Sequence, residues 1–216
     1  VDTHTGSKLF ELYHMDDNVL SDDVEKDLLK KILPCLNQAD VVIVADYGHG
    51  MMTPAIVDLV AKEAKFLVVN TQANAGNRGF NLVSKYPRAD YVCLAGHEME
   101  LATRMRHGNW EESLAELTKY IDCPRFTITI GSEGSIHTYE DGKFLKAPAL
   151  ASTVIDRVGA GDAVLAITGV LAAVNTPWDL ISFIGNAAGA RMVSDLGNRV
   201  LLSKAALAKQ LVAIMK

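Results

Sequence analysis

Short apolar runs alternate with helix-like segments along most of this chain, and this alternation constrains the fold more than any other feature. The uninterrupted apolar runs, which are typical of strands buried on both faces of a sheet, lie at 41–45, 66–69, 91–94 and 126–130. The segments with helical patterns lie at 21–36, 54–65, 97–106, 110–121, 160–174, 177–194 and 204–215. Strands that alternate with helices predict an α/β fold, a mostly parallel sheet in three layers with helices on both faces.

Capping residues mark where several of these helices begin. Ser21, with Glu25 as its capping-box partner, predicts the start of the first helix. Thr53-Pro54 combines a cap with a proline at the first helical position and predicts the start of the second. Ser203 is expected to cap the last helix.

The remaining segments are shorter. Glu140-Asp141-Gly142 predicts a hairpin turn between two strands, and residues 152–155 form a β-like segment before a helix. Lys8 to Tyr13 alternates with period two, which is typical of an edge strand or arm. We therefore expect residues 1–20 to form an arm and residues 21–216 to form the core of one domain.

Composition excludes several classes of function. The net charge is −5, so the chain lacks the positive footprint of a nucleic-acid-binding protein. No apolar run approaches the length of a membrane-spanning helix, so we expect no membrane partner. Cys35, Cys93 and Cys123 follow no metal spacing. Cys35 and Cys93 have apolar neighbours, which predicts reduced core residues in a cytoplasmic protein.

The run Asp156-Arg157-Val158-Gly159-Ala160-Gly161-Asp162 carries the clearest chemistry. Gly159 and Gly161 allow the backbone to approach a ligand closely at the start of a helix. The unpaired amides and the positive end of the helix dipole form an anion site there. Asp162 lies in the first turn of the same helix. A carboxylate able to accept a proton would thus stand beside amides able to hold a transferring phosphoryl group.

A purely structural interpretation of the run is equally compatible with its spacing. Gly-Ala-Gly is a common strand-to-helix turn, and the helix dipole favours Asp in a first turn whatever the function. Two other phosphate-binding motifs are excluded. A dinucleotide fingerprint needs a glycine where Val164 stands, and the Gly-Lys-Ser/Thr of a Walker A loop does not occur.

Gly159-Ala160-Gly161-Asp162-Ala163, preceded by Asp156, resembles the signature of the ribokinase (PfkB) family of carbohydrate kinases. Thr129 to Ser135 resembles the strand-turn element of that family near the nucleotide, and Asn186 to Ala190 resembles its late helix beside the adenine. Asp46-Tyr47-Gly48-His49-Gly50 is similar to the Asp-Tyr-Gly-Lys-Gly of the heptose-phosphate kinase branch. The resemblance spans residues 4 to 215 or so and implies a ribokinase-like fold.

The resemblance implies phosphoryl transfer from ATP, with Mg²⁺, to a hydroxyl of a sugar or sugar phosphate. Asp162 would be the catalytic base, and Gly159, Ala160 and Gly161 would form the anion hole. The other implied contacts are Thr129, Gly131, Gly134 and Asn186 for the nucleotide, Asp46 and Arg157 for the substrate, and Glu98 for the metal. Arg157 is equally compatible with a solvated position away from any phosphate.

The chain departs from the family pattern at two places. The usual Asn-x-x-Glu motif keeps its Glu98 but has Ala95 in place of the Asn, and the loss of such a supporting group weakens a metal site by roughly 10- to 100-fold. The Asp-Pro-Lys of the heptose branch is Asn70-Thr71-Gln72 here, without its cation. These changes leave an alternative open, a catalytically weakened binding or scaffold module attached to a nucleotidyltransferase. A nucleoside or vitamin alcohol as acceptor is a further alternative.

The resemblance also implies partners. The heptose branch is fused to a nucleotidyltransferase in bifunctional ADP-heptose synthesis proteins, and the family dimerises through a lid to which residues 1–20 would belong. Family members carry the first strands and most sugar contacts ahead of the position of Val1. We therefore expect the chain to be the C-terminal catalytic part of a longer protein.

Three further features have two interpretations each. His97 and Glu100 are more typical of a solvated helix face than of a metal site. His49 follows a buried strand, where either a ligand loop or a plain turn is expected. The loop at 74–81, rich in asparagine and glycine, is compatible with a phosphate site and with an ordinary loop.

Overall fold

The computed structural model describes residues 12, 14, 16, 18–77, 79–106, 109–139, 142–196 and 201–216. The helices are α1 (Asp22–Gln38), α2 (Pro54–Glu63), α3 (Gly96–Thr103), α4 (Trp110–Leu117), α5 (Ala160–Ala173), α6 (Trp178–Val193) and α7 (Lys204–Ile214). The strands are β1 (Val42–Asp46), β2 (Leu67–Thr71), β3 (Tyr91–Ala95), β4 (Phe126–Thr129), β5 (Ser135–Tyr139) and β6 (Lys143–Ala147).

The six strands form one sheet whose spatial order is the chain order, β1 to β6. Strands β1 to β4 pair in parallel, and β4, β5 and β6 pair antiparallel. The central strands β2 and β3 are buried almost throughout, which explains their continuous apolar sequence. The α/β fold with a mostly parallel sheet is confirmed, and so is the hairpin of β5 and β6. Its turn residues Glu140 and Asp141 lie outside the described residues.

Helices cover both faces of the sheet and enclose a core on each face, and a third, smaller apolar cluster lies between α6 and α7. On one face, Leu67 and Val69 of β2 pack with side chains of α1 to α4. On the other face, Val68 of β2 and Tyr91 of β3 pack against α5 and α6. Consecutive residues of one strand enter different cores because the side chains of a strand alternate with a period of two. The layered arrangement therefore follows directly from the apolar runs.

Helix capping agrees with the sequence at two starts and differs at the third. The Thr53 hydroxyl accepts a hydrogen bond from the amide of Ile56 at 3.3 Å, and the Ser203 hydroxyl accepts one from Ala206 at 3.2 Å. Ser21 precedes α1 as predicted, but its side chain makes no capping bond. The predicted capping box is wrong because such a box needs Glu at the third helical position, and that position is Val24.

Two other expectations are corrected. Residues 152–155 form no strand: the amide of Ile155 donates to the carbonyl oxygen of Val193 at 2.7 Å, so the segment contacts the end of α6. The expectation that Cys35 is a core residue is wrong. Leu36 is the buried residue of α1, and the neighbouring Cys35 is exposed on the outer side of the helix. The predicted arm falls largely on residues 1–11, 13, 15 and 17, outside the described residues. No helix in the described ranges is long and apolar enough to cross a membrane.

Candidate active site

A cleft of about 760 Å³ opens where strands β3 and β4 end and helix α5 begins. Ala95 at the end of β3 and Thr129 at the end of β4 both line it. Ligands of open α/β sheets bind outside the carboxyl ends of the parallel strands, and the cleft lies at those ends. The cleft is lined by several residues predicted to bind or react, namely Thr129, Gly131, Gly134, Arg157, Ala160, Gly161 and Asn186.

The first turn of α5 presents backbone amides to this cleft. Gly159 precedes the helix with φ of 80°, in the left-handed conformation that glycine adopts most readily. No side chain in the described part of the chain caps the terminus. A Cβ added to Gly161 would meet nothing within 4 Å, so the space on that side of Gly161 is open. The amide of Ala160 donates to the Arg157 carbonyl oxygen at 3.4 Å, and anion binding at this helix start stays a prediction.

The carboxylate of Asp162, in the same turn, accepts hydrogen bonds from two side chains that lie just after strands β1 and β2. The Gln72 amide nitrogen Nε2 donates to Oδ1 at 2.7 Å, and the Tyr47 hydroxyl donates to Oδ2 at 3.3 Å. Burial raises the pKa of Tyr47, and the negative charge of Asp162 raises it further, so the hydroxyl remains a donor. Each carboxylate oxygen retains a lone pair for an incoming hydroxyl.

Sequence reasoning did not assign Tyr47 and Gln72 to the site. Tyr47 follows the last residue of β1, and Gln72 follows the last residue of β2. Parallel strands end at the same edge of a sheet, so residues just after β1 and β2 meet beside the start of α5. That placement, rather than residue type, was the signal available in the sequence.

Asp46, predicted to contact the substrate, is buried at 3% exposure. Its carboxylate accepts hydrogen bonds from the Tyr86 hydroxyl at 2.8 Å and the Gly48 amide at 3.0 Å, and it forms an ion pair with Lys85. These contacts give Asp46 a structural role below the loop that follows β1. Contact between its side chain and a substrate stays a prediction.

Glu98, the predicted metal residue, is buried in α3 and is not among the residues that line the cleft, although its neighbour His97 is. Its two oxygens accept from the amides of Ala95 at 2.7 Å and Ala73 at 3.0 Å, so the carboxylate caps α3 where Ala95 offers no side chain to do so. Burial raises the pKa of Glu98, the two amide bonds lower it, and the charge of Asp162 raises it again. The net effect is a raised pKa, with burial as the largest cause.

A magnesium ion is compatible with this donor set. Mg²⁺ keeps several water ligands and takes one or two carboxylates plus substrate phosphates, so it needs no closed protein cage. The described residues contain no group of three His, Cys, Asp or Glu side chains able to hold a metal. Asn70 does carry a buried carbonyl oxygen, Oδ1, without a hydrogen-bond partner, while its Nδ2 donates to the Cys93 carbonyl at 2.8 Å. The role of Glu98 toward a metal stays a prediction.

Asn186 ends a chain of side-chain hydrogen bonds that begins in the sheet. Thr127 contacts Nδ1 of His137 at 2.7 Å, and Ser135 contacts Nε2 of His137 at 2.7 Å and Oδ1 of Asn186 at 2.9 Å. Every bond has one donor if Thr127 donates to Nδ1, Nε2–H donates to Ser135, and Ser135 donates to Asn186. This tautomer is neutral, and burial lowers the pKa of His137 to about 4, which favours the neutral ring.

Two sequence interpretations are refined by the cleft. His97 and Glu100, expected on a solvated face, both line it, although His97 is also exposed. The side chains of Asn77 and Asn81 bond to main-chain carbonyls inside the protein, so these two residues of the loop at 74–81 act as internal ties. For His49, the ligand-loop interpretation and the plain-turn interpretation both stay open.

The chain has similarities to known proteins in sequence. The sequence pattern of the pfkB family of carbohydrate kinases matches residues 3–205. Bifunctional protein HldE from Bradyrhizobium diazoefficiens is 29% identical over 190 residues, which cover 84% of this chain and 37% of that protein. Its counterpart from Rhodopseudomonas palustris (strain BisB18) is 30% identical over 177 residues, which cover 81% and 36%. The chain thus spans little more than a third of these relatives.

Solved structures support the fold. Phosphofructokinase-2 from Escherichia coli, in complex with potassium, superposes with a TM-score of 0.75 at 15% identity, covering 92% of this chain and 64% of that one. Ribokinase from Arabidopsis thaliana, complexed with ribose and ATP, gives 0.69 at 17% identity, covering 90% and 60%. The fold is therefore ribokinase-like. Since the family pattern matches nearly the whole chain, the protein belongs to the pfkB family of carbohydrate kinases.

Proposed function

We propose that this protein transfers the γ-phosphoryl group of ATP to a hydroxyl of a sugar or sugar phosphate. The observation that carries the proposal is the start of α5, where the carboxylate of Asp162 lies in the same turn as amides that no side chain of the described residues caps. That turn opens into a cleft of about 760 Å³. Phosphoryl transfer needs these two elements together, a proton acceptor and donors for the phosphoryl oxygens.

The proposed mechanism assigns a role to each of these groups. Asp162 accepts the proton of the attacking hydroxyl through Oδ1 or Oδ2. The amides of residues 159–162 donate hydrogen bonds to the phosphoryl oxygens as negative charge develops on them. Arg157, which lines the cleft, pairs with a phosphate of the nucleotide or of the substrate. Mg²⁺, held through Glu98 and water, would neutralise charge on the nucleotide phosphates.

The nucleotide would lie along the wall made by β4, its following turn and α6. Thr129, Gly131 and Gly134 line this part of the cleft, and Asn186 and Gly189 face it from α6. Small residues leave room for a flat base. The Arabidopsis ribokinase, a protein of the same fold, is complexed with ATP, and this supports the assignment of a nucleotide to the cleft.

We also propose partners and a location for the protein. The curated relatives are named bifunctional, and this chain matches little more than a third of their length, which supports a fused nucleotidyltransferase. A homodimer is proposed by family analogy, without nucleic-acid or membrane partners. Cys93 and Cys123 are buried free thiols, which supports a reducing, cytoplasmic location.

A binding or scaffold role is the competing proposal. It is favoured by Ala95, whose position offers no side-chain oxygen to a metal network, and by Glu98, both of whose oxygens already accept amide hydrogen bonds. Under this proposal the cleft binds nucleotide without turnover.

One experiment separates the two. ADP formation is measured for the full-length protein with ATP and Mg²⁺ against a panel of sugars, sugar phosphates, nucleosides and vitamin alcohols. Turnover with a sugar or sugar phosphate is expected, and Asp162→Asn should lower kcat by about 10² to 10⁴-fold. Asp179→Asn is the matched control, because Asp179 also lies in the first turn of a helix, but at the end of α6 away from Asn186 and Gly189, which line the cleft. Near-normal turnover by Asp162→Asn would contradict the assignment of Asp162 as the catalytic base. Nucleotide binding by the wild type without any turnover would favour the scaffold role.

A further inference from the structure

We propose that Gln72 and Tyr47 are positioning residues that fix the Asp162 carboxylate in its orientation toward the attacking hydroxyl. This inference rests on the proposed function, because it assigns a role to residues around the proposed base. Gln72 Nε2 lies 2.7 Å from Oδ1 of Asp162, and the Tyr47 hydroxyl lies 3.3 Å from Oδ2. A carboxylate held at both oxygens by donors from two different loops cannot rotate freely about its terminal torsion.

The two loops are themselves tied together by buried asparagines. Nδ2 of Asn77 donates to the carbonyl oxygens of Tyr47 at 2.6 Å and Gln72 at 3.1 Å, so one amide group holds both positioning residues. Asn81 Nδ2 donates to the carbonyls of Asp46 at 2.8 Å and Gln72 at 3.3 Å. Asn77 and Asn81 are each 7% exposed. Breaking these bonds would leave buried polar groups unpaired, and the free-energy cost of doing so keeps the two loops in place.

The backbone of the first loop is shaped to allow this contact. Gly48 has φ of 74°, and a Cβ at this position would lie 2.2 Å from Nδ2 of Asn77. Only glycine therefore permits the loop to approach the asparagine so closely. The Gly48 amide donates to Oδ1 of Asp46 at 3.0 Å, which anchors the same turn from below. The main chain of Tyr47 is thus held by buried contacts, while its ring stays 44% exposed beside Asp162.

The chemistry of the donors suits a base. Hydrogen bonds to the charged form of a carboxylate favour that form, which is the form that accepts a proton. The amide of Gln72 is neutral, so it orients Asp162 without adding the full charge that a lysine at this position would bring. A base displaced by about 1 Å loses up to roughly 100-fold in rate, so orientation alone has a measurable effect.

The kinetic test compares matched pairs of variants. Gln72→Leu should lower kcat by about 10- to 100-fold and leave KM for the nucleotide unchanged, because Gln72 does not line the cleft wall. Tyr47→Phe should have a smaller effect because its bond is longer. Gln72→Lys, which keeps a donor, should retain more activity than Gln72→Leu.

The control variants make the same Gln→Leu and Tyr→Phe changes at surface positions away from Asp162. Gln38→Leu changes an exposed glutamine of α1, and Tyr120→Phe removes a hydroxyl that donates to Glu116 at 3.2 Å on the surface. Both should match the wild type. A wild-type kcat in Gln72→Leu, or a raised nucleotide KM with unchanged kcat, would overturn the positioning role.

A second readout does not depend on turnover. The side-chain amide signals of Gln72 in a ¹H–¹⁵N spectrum, identified by their loss in Gln72→Leu, should shift in Asp162→Asn and not in Asp179→Asn. An unshifted signal in Asp162→Asn, in a protein that turns over, overturns the positioning role alone. A shifted signal in a protein that phosphorylates no acceptor overturns the proposed function and, with it, the catalytic meaning of the contact.

Discussion

The side-chain amide of Asn186 donates to the carbonyl oxygen of Pro148 at 2.8 Å, and this bond joins helix α6 to the segment that follows strand β6. The same amide reaches the carbonyl of Ala147 at 3.2 Å, while Oδ1 accepts from the Ser135 hydroxyl at 2.9 Å. Both N–H groups and the oxygen are thus used within the protein. Any contribution of Asn186 to nucleotide binding would come through the cleft wall that it holds.

Replacing Asn186 by leucine should weaken both stability and nucleotide binding. The Ser135 hydroxyl and the Pro148 carbonyl would lose their partner, which should lower the free energy of unfolding by about 1–3 kcal/mol. Urea denaturation measures the stability, and calorimetric titration with a non-hydrolysable ATP analogue measures binding. Asn37→Leu, at an exposed position of α1, is the control. An unchanged unfolding free energy in Asn186→Leu would show that these bonds contribute nothing net.

Replacing Gly161 should separate stability from binding. Gly161→Ala adds a methyl group that meets no protein atom, and alanine favours a helix by up to about 1 kcal/mol over glycine. Thermal unfolding should therefore show equal or higher stability, whereas affinity for the ATP analogue should fall at least tenfold, by roughly 1.4 kcal/mol. Ala166→Leu, at an exposed position of the same helix, should leave binding intact. Undiminished binding by Gly161→Ala would contradict the prediction that an anion binds at these amides.

His137 should make the stability depend on pH below neutrality. Its pKa is lowered by burial from 6.5 to about 4 in the folded protein, so the stability that it contributes is present above pH 6.5 and is lost as pH falls through 4. The loss amounts to about 3 kcal/mol at most. In urea denaturation, the advantage of the wild type over His137→Gln should shrink between pH 7 and pH 4.5. His14→Gln, at an exposed position, is the comparison variant. An advantage of the wild type over His137→Gln that stays constant with pH would contradict the assignment.

The three cysteines should differ in reactivity. Burial raises the pKa of Cys93 and of Cys123 to about 12, and the thiolate is the reactive form, so neither should react in the native protein. Cys35 is exposed on α1. A disulfide reagent such as 5,5′-dithiobis(2-nitrobenzoic acid) should therefore label one thiol in the folded protein and all three after denaturation. Fast labelling that persists in Cys35→Ser would contradict this ranking.

Much of the fold could be predicted because it depends on local patterns. Runs such as 66–69 and 91–94 are apolar at every position, which only a strand buried on both faces requires, and Thr53-Pro54 begins α2 where expected. The predictions that failed concern tertiary surroundings. The segment 152–155 has a β-like composition, yet the amide of Ile155 bonds to the end of α6. Cys35 has apolar neighbours in sequence, yet it lies on the outer side of α1.

The sequence by itself determined the order of strands and helices, the glycine-containing start of α5 and the position of Asp162 within it, because these depend on residues that are adjacent in the chain. The tertiary structure alone decided what surrounds that carboxylate. Gln72 and Tyr47 stand 90 and 115 positions away from Asp162 in sequence. They meet it because parallel strands end at a common edge of the sheet, and because Asn77 ties both loops through hydrogen bonds that no local pattern encodes.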